Sequence, residues 1–474
     1  MGQGSREILG RGSIYTLATA APMVAGVVIL PILTRRLSIS EYGYVAIAIV
    51  VMQFGTGLAG LGLPTAITRH ALVAESGPPG ARGLALMGGA IATSLAVVSA
   101  LGLLAWAALS GTSGMSVFVL ALLAAGAGAV ASNVTAYFLA VKDAWFYVRI
   151  AFGLSFLAPA AGLVVVLIGR ATALGYLAGL ASVYFVAGTV AILRVLRLKP
   201  ISLGRADARA ALRIGLPMLP YLLSIGLASG SMVFVGNRLF GLDAGAETQI
   251  AISVGSLSLI VISAIFNAWM PAILATPERE RGARLEETGA DVAWLAALGA
   301  GGVGVLSPWL LRFVTSSEYD QAAMVPVVSV IGVAACVAAV FFANIQLVIA
   351  AGATGKMAFL SPLSLAAGIG AALLVAPYLG LVGLAVGFVV MYVSLAVATS
   401  VMARRTSPSR WNHRTVVAPL LAALALAGLG ALLPISGPSS LWRIAAAAVI
   451  VAIAIRRLYG TFRTPLLPHI GLDD

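Results

Sequence analysis

Residues 31–70 read PILTRRLSISEYGYVAIAIVVMQFGTGLAGLGLPTAITRH. A short polar connection near the start of this stretch separates two apolar runs, residues 14–34 and 44–66. A helix needs about 20 apolar residues to cross the hydrocarbon core of a bilayer. Such runs are expected to be helical, because a helix satisfies its own backbone hydrogen bonds in lipid. The stretch therefore predicts the end of one membrane-spanning helix, a turn, and a second spanning helix.

The rest of the chain repeats this alternation. Of its 474 residues, 61% are hydrophobic and 9% are charged, whereas a soluble domain is about 25% charged. This balance excludes an ordinary soluble enzyme and a disordered chain, and the single cysteine, Cys336, cannot form an internal disulfide. The predicted fold class is an all-α membrane protein with about 14 transmembrane helices. The predicted spans are residues 14–34, 44–66, 84–109, 116–140, 150–168, 173–193, 214–236, 248–272, 290–311, 323–350, 358–377, 380–402, 416–434 and 441–455.

The basic residues indicate which ends of these spans face the cytoplasm. With the N-terminus inside, 23 of the 29 Lys and Arg residues fall in inner connections. The outer ones are Arg35, Arg36, Arg170, Arg238, Arg312 and Arg443. This bias is the positive-inside pattern of a multi-pass protein with both termini in the cytoplasm. It also accounts for the net charge of +13, so nucleic acid is not an expected partner.

Several activities lack their sequence signatures. No connection is long enough for a soluble catalytic domain, so an enzyme is not expected. The best match to a phosphate-binding loop has Ala350 in place of its first Gly and Met357 in place of its Ser or Thr. His70, His413 and His469 lie in separate inner connections, as solvated loop residues do, so neither a metal nor a cofactor is expected. The remaining class is a secondary transporter or flippase, whose spans often contain Gly and Pro.

A weak internal repeat favours two similar halves. Arg11 and Arg36 flank the first span 25 residues apart, and Arg213 and Arg238 flank the seventh at the same separation, a match that chance could also produce. Prolines within the two spans are candidates for bending and gating: Pro22, Pro31, Pro217 and Pro220. The repeat predicts two six-helix lobes around a central cleft, followed by two extra helices. The predicted domains are an N-terminal lobe at 1–200, a C-terminal lobe at 201–403, and spans 13 and 14 with a cytoplasmic tail at 404–474.

The order of motifs along the chain resembles the polysaccharide flippase family, the Wzx-like branch of the MOP exporter superfamily. The motif after the first span consists of Arg35, Leu37, Glu41, Tyr42 and Gly43, and the one after the second consists of Gly60, Leu61, Gly62 and Arg69. Residues 137–149, 318–326 and 377–387 also resemble family motifs, so the likeness reaches the twelfth span. One departure is Asn237, which precedes Arg238 where relatives often have an acidic residue. This departure puts in doubt a mechanism in which a carboxylate there binds a proton or Na⁺.

The resemblance implies a function. Family members move an undecaprenyl-diphosphate-linked oligosaccharide across the bacterial cytoplasmic membrane by alternating access, for export of lipopolysaccharide or exopolysaccharide. The implied partners are the lipid-linked glycan, membrane lipids, a polysaccharide polymerase and glycosyltransferases. One alternative is an ion-coupled small-molecule or drug exporter of the related multidrug antiporter branch, although no Asp or Glu is central in any predicted span. A membrane glycosyltransferase or polymerase is a further alternative, disfavoured by the short outer connections.

Candidate substrate contacts follow from the chemistry of this cargo. A diphosphate suits arginine, whose planar fork pairs bidentately, and a sugar head needs hydrogen-bonding groups that face water rather than lipid. The basic candidates are Arg35, Arg36, Arg69, Lys142, Arg149 and Arg238, for which headgroup anchoring and topology are the simpler interpretations. The amide candidates are Asn237, Asn267, Asn344 and Gln346, and Asn133 also lies in a span. Helix–helix hydrogen bonding is their simpler role. Glu41 is a gating candidate that could pair with Arg35, and Trp269 is a candidate for sugar stacking.

Overall fold

The computed structural model describes residues 28–112, 114–351, 354–435, 437 and 440–463. In these residues the regular secondary structure is helical, with no strand, as the apolar pattern predicts. The chain divides into two compact units. Of the described residues, the first unit takes those up to Gln249 together with Val314–Tyr319 and Gly355–Ile369, and the second takes Ile250–Phe313, Asp320–Thr354 and those from Gly370 onward.

The helices are numbered in chain order. The helices up to Phe240 lie in the first unit: α1 (residues 28–36), α2 (Ile39–Gly60), α3 (Leu63–Val73), α4 (Gly77–Ser110), α5 (Ser116–Ala140), α6 (Ala144–Phe152), α7 (Ala158–Ile168), α8 (Ala173–Leu196) and α9 (Arg205–Phe240). A π-helical turn, Gly153–Leu157, joins α6 to α7. The later helices are α10 (Leu242–Gly255), α11 (Leu257–Ala275), α12 (Arg281–Val314), α13 (Gln321–Ala350), α14 (Met357–Leu379), α15 (Leu381–Thr406), α16 (Val417–Leu432) and α17 (Leu441–Arg463). Of these, α10, α12 and α14 have residues in both units, and α12 contributes only its last residue, Val314, to the first.

The described residues contain eleven helices that are long and apolar enough to cross a membrane, by length and composition. The count is twelve if α10 and the start of α11, which meet at an angle of 47°, form one bent span. These twelve coincide with the predicted stretches from 44–66 to 416–434. The last predicted stretch, 441–455, falls within α17, and the first lies largely outside the described residues. The all-helical fold is confirmed, but the count of about 14 spans is not.

Several helices extend beyond the apolar stretches that predicted them. Helix α9 begins at Arg205 and α12 at Arg281, each nine residues before the predicted span. An apolar stretch marks only the part of a helix that suits lipid. The added turns are rich in Ala, Arg and Glu, which are good helix formers, so the helix continues into the polar region.

The Gly-Leu-Gly run in the opening stretch interrupts its second predicted span. Leu61 and Gly62 both have positive φ, 51° and 65°, and two successive left-handed residues end α2. Pro64 then lies in the first turn of α3, where its missing N–H removes no helical bond. A Cβ on Gly62 would lie 2.2 Å from the carbonyl oxygen of Gly215 in α9. Glycine is therefore required at position 62 by both its conformation and this close approach.

The candidate gating prolines occupy different settings. Pro217 and Pro220 lie inside α9, which stays helical through both of them. The Ser224 hydroxyl donates to the carbonyl oxygen of Pro220 at 2.6 Å, so a side chain adds a bond where α9 contains prolines. Pro31 is buried in α1, and Pro22 lies outside the described residues. A role for these prolines in gating stays a prediction.

The basic connection between α8 and α9 is anchored to other helices of the first unit. Arg82 on α4 donates from Nε to the Tyr137 hydroxyl and from Nη1 to the carbonyl oxygen of Pro200, each at 2.7 Å. The Ser202 N–H donates to the carbonyl oxygen of Pro79 at 3.1 Å. These bonds, with the packing of α9 on α2 and α3, place α9 in the first unit. The predicted lobes at 1–200 and 201–403 stay predictions. The two compact units are defined by packing, whereas the lobes of a transporter are defined by moving as rigid bodies.

Arg443 in the second unit is fully buried, although a basic residue at a span end is usually a surface anchor. Its Nε donates to the carbonyl oxygen of Pro434 at 2.9 Å, and its Nη2 donates to that of Leu433 at 2.5 Å. These carbonyls follow the end of α16, where helical partners run out. Its Nη1 donates to the carbonyl oxygen of Val305 in α12 at 3.1 Å. Arg443 therefore ties α17 to α12 and to the end of α16.

Candidate functional site

A groove in the first unit combines one arginine with several hydroxyl groups. It lies where α3, α5 and the start of α6 meet, and its volume is about 540 Å³. Its polar lining residues are Thr65, Thr68, Arg69, Ser132, Thr135 and Tyr147. The apolar lining comes from Pro64, Ala136 and Leu139. The groove therefore brings a cation and several hydroxyl groups together.

Two threonine hydroxyls of the groove, those of Thr68 and Thr135, are oriented by bonds to helix carbonyls. Thr68 donates to Pro64 within α3 at 3.0 Å and lies 3.2 Å from the carbonyl oxygen of Ala136, which links α3 to α5. Thr135 donates within α5 to Ala131 at 2.8 Å. A hydroxyl that has given its proton to a carbonyl still offers lone pairs. These oxygens can therefore accept hydrogen bonds from the hydroxyls of a sugar.

The end of α3 that carries Arg69 is fixed by its neighbour His70. His70 Nε2 lies 2.7 Å from the Ser76 hydroxyl and 3.6 Å from a carboxylate oxygen of Asp207 in the first turn of α9. His70 is only 8% exposed, so the interpretation of the histidines as solvated loop residues is wrong for it. Arg69 itself is exposed. A helix end held by these contacts therefore presents an exposed cationic side chain to the groove.

The other inner basic candidates do not line this groove. Lys142 is exposed in the turn after α5 and has a positive φ of 63°. Arg149 is exposed on α6. Of the three inner cations that the sequence singled out, the structure brings Arg69 alone to the hydroxyl groups. Substrate contacts by Lys142 and Arg149 stay predictions.

The motif after the first span is held by helix-capping bonds. Arg35 Nη1 donates to the carbonyl oxygen of Pro31 one turn earlier at 3.2 Å, and Arg36 is exposed. A carboxylate oxygen of Glu41 accepts the backbone N–H of Ala173 at 2.5 Å, at the first residue of α8. A carboxylate at a helix N-terminus is stabilising because unpaired N–H groups and the helix dipole meet it there. Glu41 thus has a structural role, and gating by it stays a prediction.

The end of α9 carries Asn237, the departure from the polysaccharide flippase pattern, and the basic residue Arg238 that follows it. Asn237 is half-buried, and Arg238 is exposed in the last turn. A Cβ on Gly245 in α10 would lie 3.2 Å from Cβ of Asn237, so α10 packs closely against this residue. The close packing favours a structural role for Asn237. Contact of Arg238 with a diphosphate stays a prediction.

Burial and nearby acidic residues both raise the pKa of the Tyr319 phenol. Tyr319 precedes α13, and burial is the main cause that raises its pKa. The negative charges of Glu318, Glu247 and Asp243 raise this pKa further. The Tyr319 hydroxyl is buried and has no hydrogen-bond partner among the described residues. The phenol therefore stays neutral and contributes no charge at this end of the first unit.

The buried amide Asn344 on α13 has partners within the second unit. Its Oδ1 accepts from Trp411 Nε1 at 3.1 Å and lies 3.2 Å from His413 Nε2, and its Nδ2 donates to the carbonyl oxygen of Val340 at 2.9 Å. These bonds favour the helix-packing role, and they show that His413 is not simply solvated. A sugar contact by Asn344 stays a prediction.

The remaining interior candidates differ in their surroundings. Asn133 and Gln346 are fully buried, and their amide groups have no hydrogen-bond partner among the described residues. Trp269 is 8% exposed and donates from Nε1 to the Thr288 hydroxyl at 3.0 Å, which favours packing over sugar stacking. The side chain of Asn267 lies outside the described part. In that part, no group of three His, Cys, Asp or Glu residues is placed to hold a metal.

Sequence reasoning missed the hydroxyl groups of the groove. Thr65 and Thr68 are three residues apart, as are Ser132 and Thr135, which places each pair on one helix face. This spacing was the available signal. Threonine and serine are common in spans as helix-packing residues, so the signal gains meaning only when α3 and α5 are seen to meet.

The fold is the one found in transporters of the MOP superfamily. The chain is similar to an inward-facing multidrug resistance MATE family transporter of that superfamily, with 15% identity and a TM-score of 0.64 over 82% of this chain and 94% of the other. An outward-facing transporter of the same family gives 17% identity and a TM-score of 0.58 over 83% and 92% of the two chains.

A further neighbour widens the range of binding pockets found in this fold. It is a MOP superfamily transporter from Pyrococcus furiosus, described by the reverse polarity of its binding pocket, with 17% identity and a TM-score of 0.58 over 83% and 92% of the two chains. No protein-family model and no curated protein matches the sequence. At these identities the likeness establishes the fold, and the cargo has to be argued from the residues themselves.

Proposed function

We propose that this protein is a flippase that moves an undecaprenyl-diphosphate-linked oligosaccharide across the bacterial cytoplasmic membrane by alternating access. The observation that carries the proposal is the groove that joins Arg69 to five hydroxyl-bearing side chains. The inward- and outward-facing forms of the neighbouring transporters support an alternating-access cycle for this fold. The product would supply surface polysaccharide synthesis, with a polymerase and glycosyltransferases as partners.

The groove suits both parts of the polar head. The guanidinium of Arg69 offers several N–H donors in a planar fork, which matches the oxygens of a diphosphate. The oriented oxygens of Thr68 and Thr135 accept from sugar hydroxyls. A volume of about 540 Å³ lies within the range of roughly 300–1,000 Å³ for ligand pockets, so it would hold the diphosphate and the adjoining sugar rather than a whole oligosaccharide.

The order of events follows from the predicted orientation. The distribution of basic residues supports an orientation in which the Arg69 end of α3 faces the cytoplasm, where the lipid-linked glycan would be assembled. Arg69 would receive the diphosphate there, with Lys142 and Arg149 drawing the anion to this face. On the opposite side, Arg35, Arg36 and Arg238 would meet the diphosphate as it leaves. The lipid tail would remain in the bilayer throughout.

A multidrug exporter is the second candidate, because two of the neighbours are multidrug resistance transporters. Such exporters typically use a buried carboxylate for cation coupling. Here no Asp or Glu is central in a predicted span, and the end of α9 carries Asn237 in place of an acidic residue. The sequence therefore favours an anionic cargo over a cationic drug.

Proteoliposomes that contain the purified full chain separate these candidates. One set carries an undecaprenyl-diphosphate oligosaccharide whose protection from an impermeant glycosidase is measured, and the other measures transport of a cationic dye under an imposed ion gradient. We expect glycan movement and no dye transport. Dye transport with no glycan movement, under the same set of ion gradients and membrane potentials, would overturn the proposal.

Arg69→Gln tests the groove itself. Loss of a charge-assisted bond of about 1.5–3 kcal/mol predicts a fall of roughly tenfold or more in the rate of glycan movement at limiting substrate. The matched control is Arg209→Gln, which removes the same charge from an exposed position on α9, also on the predicted cytoplasmic side. Equal rates in both variants at matched protein levels would contradict the role of the groove.

A further inference from the structure

A second, smaller cavity lies in the second unit. It has a volume of about 180 Å³ and forms where α13, the end of α15 and the connection before α16 meet. Its polar lining residues are Asn344, Arg404, Ser409, Arg410, Trp411 and His413. None of its lining residues is acidic. This volume is below the roughly 300–1,000 Å³ of ligand pockets, so the cavity fits a small polyatomic anion rather than a sugar chain.

The cavity walls are fixed by buried hydrogen bonds. The fully buried Asn344 holds Trp411 and His413 through its Oδ1, as described above. His413 Nε2 also lies 2.7 Å from the Ser400 hydroxyl on α15. The two contacts of Nε2, with Asn344 and with Ser400, orient the imidazole. The connection before α16 is therefore a built structure and not a loose loop.

The connection before α16 also contacts the chain at and just before the start of α12. The Ser409 hydroxyl donates to the carbonyl oxygen of Glu278 at 2.5 Å. A Cβ on Gly282 would lie 2.1 Å from the carbonyl oxygen of Arg410, so α12 packs directly on the backbone of Arg410. The backbone of Arg410 is thereby positioned at the cavity, while its guanidinium remains exposed.

The cavity gathers positive charge, and no carboxylate is among its lining residues. Arg404 and Arg410 line it and are exposed, and the salt bridges within the described part of the chain do not involve either residue. His413 lies beside Arg404 at the same cavity. Two exposed arginines at a cavity with fixed walls form an arrangement that recognises phosphoryl oxygens.

We propose that this cavity binds the phosphate group of an anionic phospholipid in the cytoplasmic leaflet. Inorganic phosphate shares that chemistry, but the position of the cavity favours a lipid. Helix α15 ends at Thr406 and α16 begins at Val417, so the cavity lies at the ends of two spans, on the side that the positive-inside pattern predicts to be cytoplasmic. Basic pockets between spans on this side are typical headgroup sites. The inference does not rest on the identity of the cargo.

Native mass spectrometry of the full chain tests the proposal. Protein released from nanodiscs of phosphatidylcholine with phosphatidylglycerol is examined for retained phosphatidylglycerol. The test variant is Arg404→Gln/Arg410→Gln. The matched control is Arg405→Gln/Arg414→Gln, which removes the same charge from exposed arginines of the same connection that do not line the cavity. We expect the cavity variant to retain about tenfold less phosphatidylglycerol than the control pair.

Three results would overturn the proposal. Equal losses in both double variants would show a diffuse electrostatic surface, and no loss in either would show that lipid binds elsewhere. In a third arm, inorganic phosphate at millimolar concentration is added to lipid-free protein in detergent. Thermal stabilisation by phosphate that the cavity variant abolishes, without any effect of phosphatidylglycerol, would assign the site to free phosphate. Thermal unfolding of both variants is measured in parallel, so that a misfolded variant is recognised and replaced by Arg404→Lys/Arg410→Lys.

Discussion

Substitution of Gly62 by alanine tests the contact between the α2–α3 turn and α9. Two costs add at this position. The left-handed backbone, with φ of 65°, costs alanine about 1–2 kcal/mol. The new Cβ would also lie 2.2 Å from the carbonyl oxygen of Gly215, and forced overpacking costs about 1–3 kcal/mol more. We therefore expect Gly62→Ala to lower the free energy of unfolding by about 2–5 kcal/mol.

The matched control separates the two costs. Gly77 also has a positive φ, 49°, but a Cβ there meets nothing within 4 Å. Gly77→Ala should thus lose only the backbone cost of about 1–2 kcal/mol. The assay is unfolding of the purified full chain by SDS in mixed micelles, followed by circular dichroism. If the two variants unfold at the same SDS fraction, the close approach of Gly62 to α9 is refuted.

The other side of the contact gives a test in which two effects have opposite signs. Helix propensity alone predicts that Gly215→Ala stabilises α9 by about 1 kcal/mol. A Cβ on Gly215, however, would lie 2.6 Å from the carbonyl oxygen of Leu61, so we expect net destabilisation. Gly226→Ala on the same helix meets nothing within 4 Å and should be neutral or stabilising. Stabilisation by Gly215→Ala would contradict the packing described here.

Two further predictions concern buried polar groups, and the same SDS unfolding assay measures both. Arg443→Met should destabilise the protein by about 3–5 kcal/mol, because the carbonyls that Arg443 satisfies would be left buried without a donor. The control Arg456→Met removes an exposed charge and should change stability little. Equal effects of the two substitutions would refute the capping role of Arg443. Tyr319→Phe removes a buried hydroxyl without a partner among the described residues and should be neutral or stabilising. Tyr137→Phe breaks the bond to Arg82 and should lower the free energy of unfolding by about 1.5–3 kcal/mol. A larger loss of stability from Tyr319→Phe than from Tyr137→Phe would contradict these hydrogen-bond assignments.

The sequence was sufficient for the helical fold and for the positions of most helices. Long apolar runs leave the backbone little choice in lipid, so twelve of the predicted stretches coincide with candidate spans. It was not sufficient for helix ends or for the break at Leu61 and Gly62, because hydropathy does not report backbone conformation. The start of α9 at Arg205 shows the same limit, since polar turns extend a helix without changing the apolar stretch.

The candidate site was predictable only in part. Arg69 stood out because charge is rare in this chain, but its hydroxyl neighbours on α5 become visible only when α3 and α5 are packed together. Arg443 could be read from sequence as a surface anchor, and Asn344 as a residue lining the path of the sugar. The bonds of Arg443 to Val305 and of Trp411 to Asn344 join residues more than 60 positions apart, and the sequence pattern carries no information about those contacts. A sugar contact by Asn344 stays a prediction.

The anchored connection between α8 and α9 bears on how this protein can be engineered. Residues 194–213, which contain it, form the longest stretch between predicted spans, so it is a natural choice for inserting a reporter domain or an affinity tag. Insertions are tolerated where the backbone is free of packing and hydrogen bonds. Here Pro200 and Ser202 are bonded to α4, and a Cβ on Gly83 would lie 2.0 Å from the carbonyl oxygen of Ser202. A fusion at this connection would break these bonds to α4. The exposed turn around Thr112, before α5, is the safer attachment point.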